Sequence, residues 1–214
     1  VPALSSLVDD FDDDTIDATK WPSRSGGCVE TGGRARVPVV SGGQYDSWAS
    51  EGTYTLTGSG VYCQVYPPVD DTAGEIYGRV HVANAADGSM ILGTQVSSGN
   101  NYIRFLSWGT SGAYSDPAPV DITYDPVEHA WVRIREDSGT VSWDTSPDGA
   151  TWTNRRTLAT PDWVGANQCR VVFDTARDSG SGYAEYDNVN TVPAPDPVET
   201  NPPVYLRRVA PARR

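Results

Sequence analysis

Residues 129–159, HAWVRIREDSGTVSWDTSPDGATWTNRRTLA, constrain this chain more than any other stretch. Val132 and Ile134 alternate with Arg133 and Arg135, the period of two expected of a strand with one buried and one wet face. Ser138-Gly139 supplies a turn, and Val141 and Trp143 then resume the alternation. Pro147-Asp148-Gly149 reads as a second turn, because proline presets φ and glycine accepts a positive φ beside aspartate. Trp152 follows at once, placed to pack across a hairpin. Three short strands joined by two tight turns demand antiparallel pairing.

The same rhythm runs along most of the chain. Strand-like segments recur near 7–11, 34–40, 53–57, 60–66, 75–83, 89–97, 101–108, 119–124, 130–136, 140–145, 151–157, 169–175 and 183–190, with Gly, Asp, Asn or Pro between them. Many short strands with frequent turn signals indicate an all-β sandwich or barrel rather than βαβ units. No segment keeps a helical period over three turns, and 160–167 has room for one helical turn. From Thr191 the composition changes: VPAPDPVETNPP reads as an extended linker, and YLRRVAPARR follows it. The expected organisation is a β-sandwich domain over 1–190 and a proline-rich, basic C-terminal arm over 191–214.

Charge narrows the partners. The net charge of −12 argues against nucleic acid and anionic membrane, and no apolar run of about 18 residues exists to insert into a bilayer. The balance is uneven: Val204–Arg214 holds four arginines and no acid, so residues 1–203 carry a net charge of −16. A basic arm on an acidic body suggests docking, with Val204, Tyr205 and Leu206 as apolar anchors and Arg207, Arg208, Arg213 and Arg214 as charge contacts. The opening VPALSSLVDDF has neither the basic nor the apolar region of a retained signal peptide. Cys28, Cys63 and Cys169 are odd in number and lack metal-binding spacing, so thiols packed as small hydrophobes in a reducing cytoplasm are expected.

Three stretches, LVDDFDDDTIDATKW, WVRIRE…VSWDTSPDGATW and YAEYDNVN, occur in that order. Together they resemble a concanavalin A-like (laminin G-like) jelly roll, in the form found in minor tail proteins of bacteriophages that infect actinobacteria. The resemblance covers about residues 7–190. It implies two stacked antiparallel sheets with the first and last strands adjacent. It also implies a virion tail component, folded in the host cytoplasm, that assembles with copies of itself or other tail proteins and contacts host cell-wall polysaccharide. The expected function is therefore structural and non-enzymatic. A carbohydrate-binding module is the alternative, and a jelly-roll glycoside hydrolase the more distant one.

Four groups of residues are candidates for chemistry. Tyr77, Arg79 and His81 alternate with Ile76, Val80 and Val82, while Tyr102, Arg104 and Trp108 accompany Ile103 and Phe105. If the two strands share a sheet, those six aromatic and basic residues line one surface, suited to stacking on pyranose rings. Asp9, Asp10, Asp12, Asp13, Asp14 and Asp17 form the densest charge cluster. Asp10, Asp12 and Asp14 begin like an EF-hand, but Trp21 stands where its closing glutamate would be, so that motif is rejected. Structural calcium, which the resemblance implies, would then use Asp10, Asp12 and Asp14 with Asp187 on the closing strand. Glu185 and Asp187 share a strand face like the acid pair of a glycosidase, yet Val189 and Asn190 stand where a further acid belongs. His81 and His129 have no triad spacing, and His129 reads as a loop residue.

Overall fold

The hairpins of 129–159 are formed as their residues require. β10 (Trp131–Asp137), β11 (Thr140–Ser146) and β12 (Thr153–Ala159) pair antiparallel in sequence order. Ser138 and Gly139 both adopt positive φ, as a two-residue hairpin turn demands. In the second turn Gly149 has φ of 71°, and Asp148 accepts hydrogen bonds from the Ala150 and Thr151 amides and the Ser146 hydroxyl. Those backbone donors hold the Asp148 carboxyl down at about 2. Trp152 packs across the hairpin, 5.7 Å from the Tyr62 ring and 4.2 Å from the Arg133 guanidinium.

The structure is a computed structural model that describes residues 1–39, 46–69, 75–109, 112, 116–177 and 182–191. The expected arm, with Val204, Tyr205, Leu206, Arg207, Arg208, Arg213 and Arg214, lies outside the described residues. The remaining strands are β1 (Ser23–Arg24), β2 (Val29–Glu30), β3 (Ala35–Pro38), β4 (Asp46–Ala49), β5 (Gly60–Tyr66), β6 (Ile76–Asn84), β7 (Ile91–Ser97), β8 (Tyr102–Trp108), β9 (Val120–Thr123), β13 (Cys169–Arg177) and β14 (Tyr183–Asp187). They form two seven-stranded antiparallel sheets. The first runs β1-β4-β13-β6-β7-β8-β9 and the second β12-β11-β10-β5-β14-β3-β2. A 3-10 turn at Asp162–Ala166 fills the one place where a helical turn was expected.

The core lies between the inward faces. Val80, Val82, Leu92, Ile103, Phe105, Val171 and Phe173 come from the first sheet, and Val61, Cys63, Ile134, Val141, Trp143 and Tyr186 from the second. Phe173 and Tyr186 stack across the interface with ring centroids 4.3 Å apart. The Tyr186 hydroxyl continues through the first sheet's backbone and donates to the Asp174 carbonyl at 2.8 Å. Trp143 makes the same crossing elsewhere, donating from Nε1 to the Gly93 carbonyl at 3.1 Å. Gly78 is required where the layers come closest, since a Cβ there would stand 2.8 Å from the Ala184 methyl. All three cysteines are buried and free, and burial raises each thiol, Cys28 to about 11.

Three sequence expectations change. The segment 7–11 is no strand: Phe11 has φ of 54° and drops its ring into a cluster with Trp21, Trp48 and Phe173. The first and last segments are nevertheless adjacent, through an isolated antiparallel bridge between Asp9 and Val189. Likewise 53–57 makes only single bridges, Tyr54 to Cys169 and Ala3 to Thr55. Finally, β6 and β7 are buried at every position, so their outward face is not the wet face that alternation implies.

Candidate functional site

The outward face of β6 explains that burial. Register places Arg79 beside Asp174 of β13 and Gln95 of β7, and Gln95 beside Arg104 of β8. One step along, His81 lies between Val172 and Gly93. A further step sets Ala83 between Arg170 and Ile91, with Trp108 opposite Ile91. Ala49, Ala83, Ile91, Leu106 and Val172 form a second, outward apolar cluster with Trp108 packed on it. Above this floor is a groove of about 450 Å³ lined by Tyr77, Arg79, His81, Gln95, Arg104, Trp108, Arg170, Asp174 and Glu75, among others.

Five of the six surface residues expected from the sequence, Tyr77, Arg79, His81, Arg104 and Trp108, therefore line one groove. Tyr102 stands beside it: its hydroxyl donates to Glu75, while Gln95 donates to that hydroxyl. Burial and the Glu75 contact push the Tyr102 phenol well above its ordinary range, so it stays protonated as a donor. The sequence reading missed Gln95, Asp174 and Arg170. Arg170, Val172 and Asp174 alternate within CRVVFDT, so a shared face was legible, but only the β13–β6 register shows which face it joins.

Electrostatics in the groove start from one buried pair. The Arg79 guanidinium forks onto Asp174, Nε to Oδ1 at 2.9 Å and Nη2 to Oδ2 at 2.6 Å, with both side chains under a tenth exposed. Arg79 also lies 5.1 Å from the Trp108 ring and 5.7 Å from the Tyr77 ring. His81 Nδ1 is 3.7 Å from Asp174 Oδ2, too far for a hydrogen bond, and is buried with no partner among the described residues. Burial lowers the His81 imidazole to about 3, with Arg79 and Arg170 adding to the effect against Asp174. It is therefore neutral at neutral pH. On the rim, Arg104 makes a two-point contact with Asp121 at 2.8 Å for both bonds.

The other candidates fare differently. Glu185 is on the second sheet, on the opposite side of the sandwich from the groove. It accepts from Arg34 Nη1 at 2.9 Å and from Arg36 Nη2 at 2.7 Å, which makes it an ion-pair acceptor rather than half of an acid pair. Asp187 is half-buried, and burial raises its carboxyl to about 6, with Asp12 and Asp10 adding their charge. The chain ends thus meet as expected, and Asp10 and Asp12 lie near enough to Asp187 for their charge to act on it. Among the described residues, no three acidic, His or Cys side chains are grouped to hold a metal ion. Successive aspartates cap backbone amides instead of lying free. Asp10 takes the Asp12 amide, Asp13 the Thr15 amide, Asp14 the Gly33 amide and Asp17 the Thr19 amide. Asp9 accepts the Trp21 indole at 2.8 Å. His129 is buried in the turn before β10, its Nδ1 accepting from the Asp125 amide.

A larger hollow, about 800 Å³, lies beside Tyr66, Tyr124 and Tyr183. Its charged residues, Arg34 and Glu185, are bonded to each other, and Arg34 stacks 3.6 Å from the Tyr66 ring. The smaller groove is the better candidate because polar groups remain in it without partners.

No protein-family model matches the chain, and no curated protein matches it. Solved structures do. The chain superimposes on a laminarinase from Flavobacterium sp. UMI-01 with a TM-score of 0.63 at 8% identity, over 85% of this chain and 96% of that one. The fold is a jelly-roll β-sandwich. The apo Crh5 transglycosylase matches with a TM-score of 0.55 at 10% identity, over 87% of this chain and 86% of that one. The exoplasmic/lumenal domain of VIP36, in a Ca2+/Man3GlcNAc-bound form, matches at 0.50 and 12% identity, over 78% and 83%. Likeness at these identities establishes architecture alone.

Proposed function

We propose that the jelly roll binds carbohydrate in the groove of its first sheet and serves as a structural component of a bacteriophage tail that contacts the host surface. The observation that carries the binding reading is the groove itself. An apolar floor and the Trp108 and Tyr77 rings stand beside Arg79, Gln95 and the neutral His81 in a hollow sized for a small number of sugar rings. Rings stack on the apolar faces of a pyranose, and the polar groups set its orientation. A laminarinase, a transglycosylase and a glycan-bound lumenal domain on the same architecture are in keeping with it.

Binding rather than cleavage is the reading because both acids lining the groove are engaged. Asp174 gives both oxygens to Arg79, and Glu75 accepts from Tyr102. The tail assignment rests on the sequence resemblance, and assembly through the arm 191–214 belongs with it. Pull-down on host cell-wall polysaccharide tests the binding reading: retention should fall about tenfold in Trp108→Ala. Unchanged retention would remove the groove from consideration. Deleting 191–214 should abolish incorporation into the particle while the sandwich stays folded, and normal incorporation would overturn the role of the arm.

A further inference from the structure

Arg170 is the unusual charge of the groove. Arg79 is held by Asp174 and Arg104 by Asp121, but Arg170 has no hydrogen bond or ion pair among the described residues. Its Nε is buried without an acceptor, and its Nη2 lies against Gly88 at the β6–β7 turn, 3.2 Å from where a Cβ would stand. The side chain is half-buried and lines the groove. An unmet guanidinium donor at a partly buried position is costly, and native structures rarely leave one without a use. The surroundings also favour an anion. The groove is lined by three guanidiniums and two carboxylates, on a chain whose net charge is −12. His81, diagonal to Arg170 across β6 and β13, is neutral and has no hydrogen-bond partner for its buried Nδ1 among the described residues, so it adds no competing charge.

Accepting that the groove takes a sugar, we infer that the sugar is acidic and that Arg170 is its counter-charge. A carboxylate or phosphate on the glycan would accept the guanidinium fork, which suits the oxygens of either group. The ring carrying it would lie over Ile91 toward Trp108, which shares a register row with Arg170. A neutral glycan would offer only hydroxyl acceptors and leave the charge of Arg170 uncompensated.

The test is calorimetry on the full chain with two matched pairs: oligogalacturonate against its methyl ester, and dextran phosphate against dextran. A glycan array of neutral, uronate-bearing and phosphate-bearing members widens the search. The anionic partner should bind roughly ten- to a hundredfold tighter, the range of one charge-assisted contact. Arg170→Gln should bring it down to the neutral level, and Arg170→Lys should retain part of the difference. Near-UV circular dichroism verifies folding of both variants. The pair that shows the difference separates carboxylate from phosphate. Equal binding of neutral and anionic glycans, untouched by Arg170→Gln, would overturn the inference and leave the sugar groove standing. Failure of any glycan to bind the intact chain would overturn both.

Discussion

On the first sheet's outward face Arg79 is 5% exposed and reaches one carboxylate, Asp174, that is 7% exposed. On the second sheet's outward face Glu185 is shared by Arg34 and Arg36, each about a third exposed, and Asp144 is shared by Arg133 and Arg135. Both faces are built from arginine, acid and aromatic residues. The difference is the depth of the arginine: Arg79 has lost its water against Asp174, whereas on the opposite face the arginines keep water and share their acids. On the first face Arg170 has no hydrogen-bond or ion-pair partner among the described residues. On the second, Arg36 and Arg133 are already stacked on Tyr183 and Trp152 as well as paired.

The contrast predicts unequal costs for similar changes. Asp174→Ala should destabilise the fold by about 3–5 kcal/mol, because it strands the Arg79 charge in the interior. Asp144→Ala should cost roughly 1–2 kcal/mol, since its two arginines can turn to solvent. Equal shifts in urea midpoints would break the comparison.

Glu30 sharpens it as a buried acid with no arginine ion pair among the described residues. Burial, then the hydrogen bond to Asp13, raises its carboxyl to about 7, while the Thr15 amide pulls it down. The unfolded chain ionises this group near 4.5, so between about pH 4.5 and 7 the folded state holds the extra proton and stability falls as pH rises. Glu30→Gln keeps the oxygen that accepts from the Thr15 amide and should add roughly 2 kcal/mol at pH 8, fading toward pH 5. Thermal melts at the two values check this, and a gain independent of pH would mean the charge is not the cause.

Smaller effects separate the faces by function. Trp108→Ala should weaken glycan binding about tenfold, whereas Trp152→Ala on the opposite face should leave the dissociation constant unchanged. A loss in the second variant would move the site. Glu185→Gln should cost about 1 kcal/mol or less and leave binding intact, as expected of a partly exposed ion pair. Lost binding in that variant would reverse the assignment of the two faces.

Most strands were legible because their inward residues alternate with a period of two, and β5 through β14 fall within a few residues of their expected places. β1, β2 and β4 were not: two are only two residues long, and β4 carries Trp48 in a four-residue strand beside glycine-rich sequence. At the site, Tyr77, Arg79 and His81 were visible as alternating partners of a core face. Arg170 and Asp174 were not tied to them, because the two groups lie about 90 residues apart and meet only through strand pairing. The aspartate cluster shows a related limit. Spacing puts aspartates near one another in sequence, but only the structure shows that Asp10, Asp13, Asp14 and Asp17 each cap a backbone amide.

The 129–159 segment shows what local sequence determines by itself. Alternation, a Ser-Gly turn and an Asp-capped Pro-Asp-Gly turn are short-range preferences of backbone and side chain, so three antiparallel strands follow without the rest of the chain. Which outward face sinks into a groove is decided only by tertiary structure. Arg79 and His81 on β6 read like Arg133 and Arg135 on β10, as basic residues alternating with a core face. Strand order alone places β6 at the centre of its sheet, where Asp174 becomes a buried partner of Arg79 and Arg170 is left with none among the described residues.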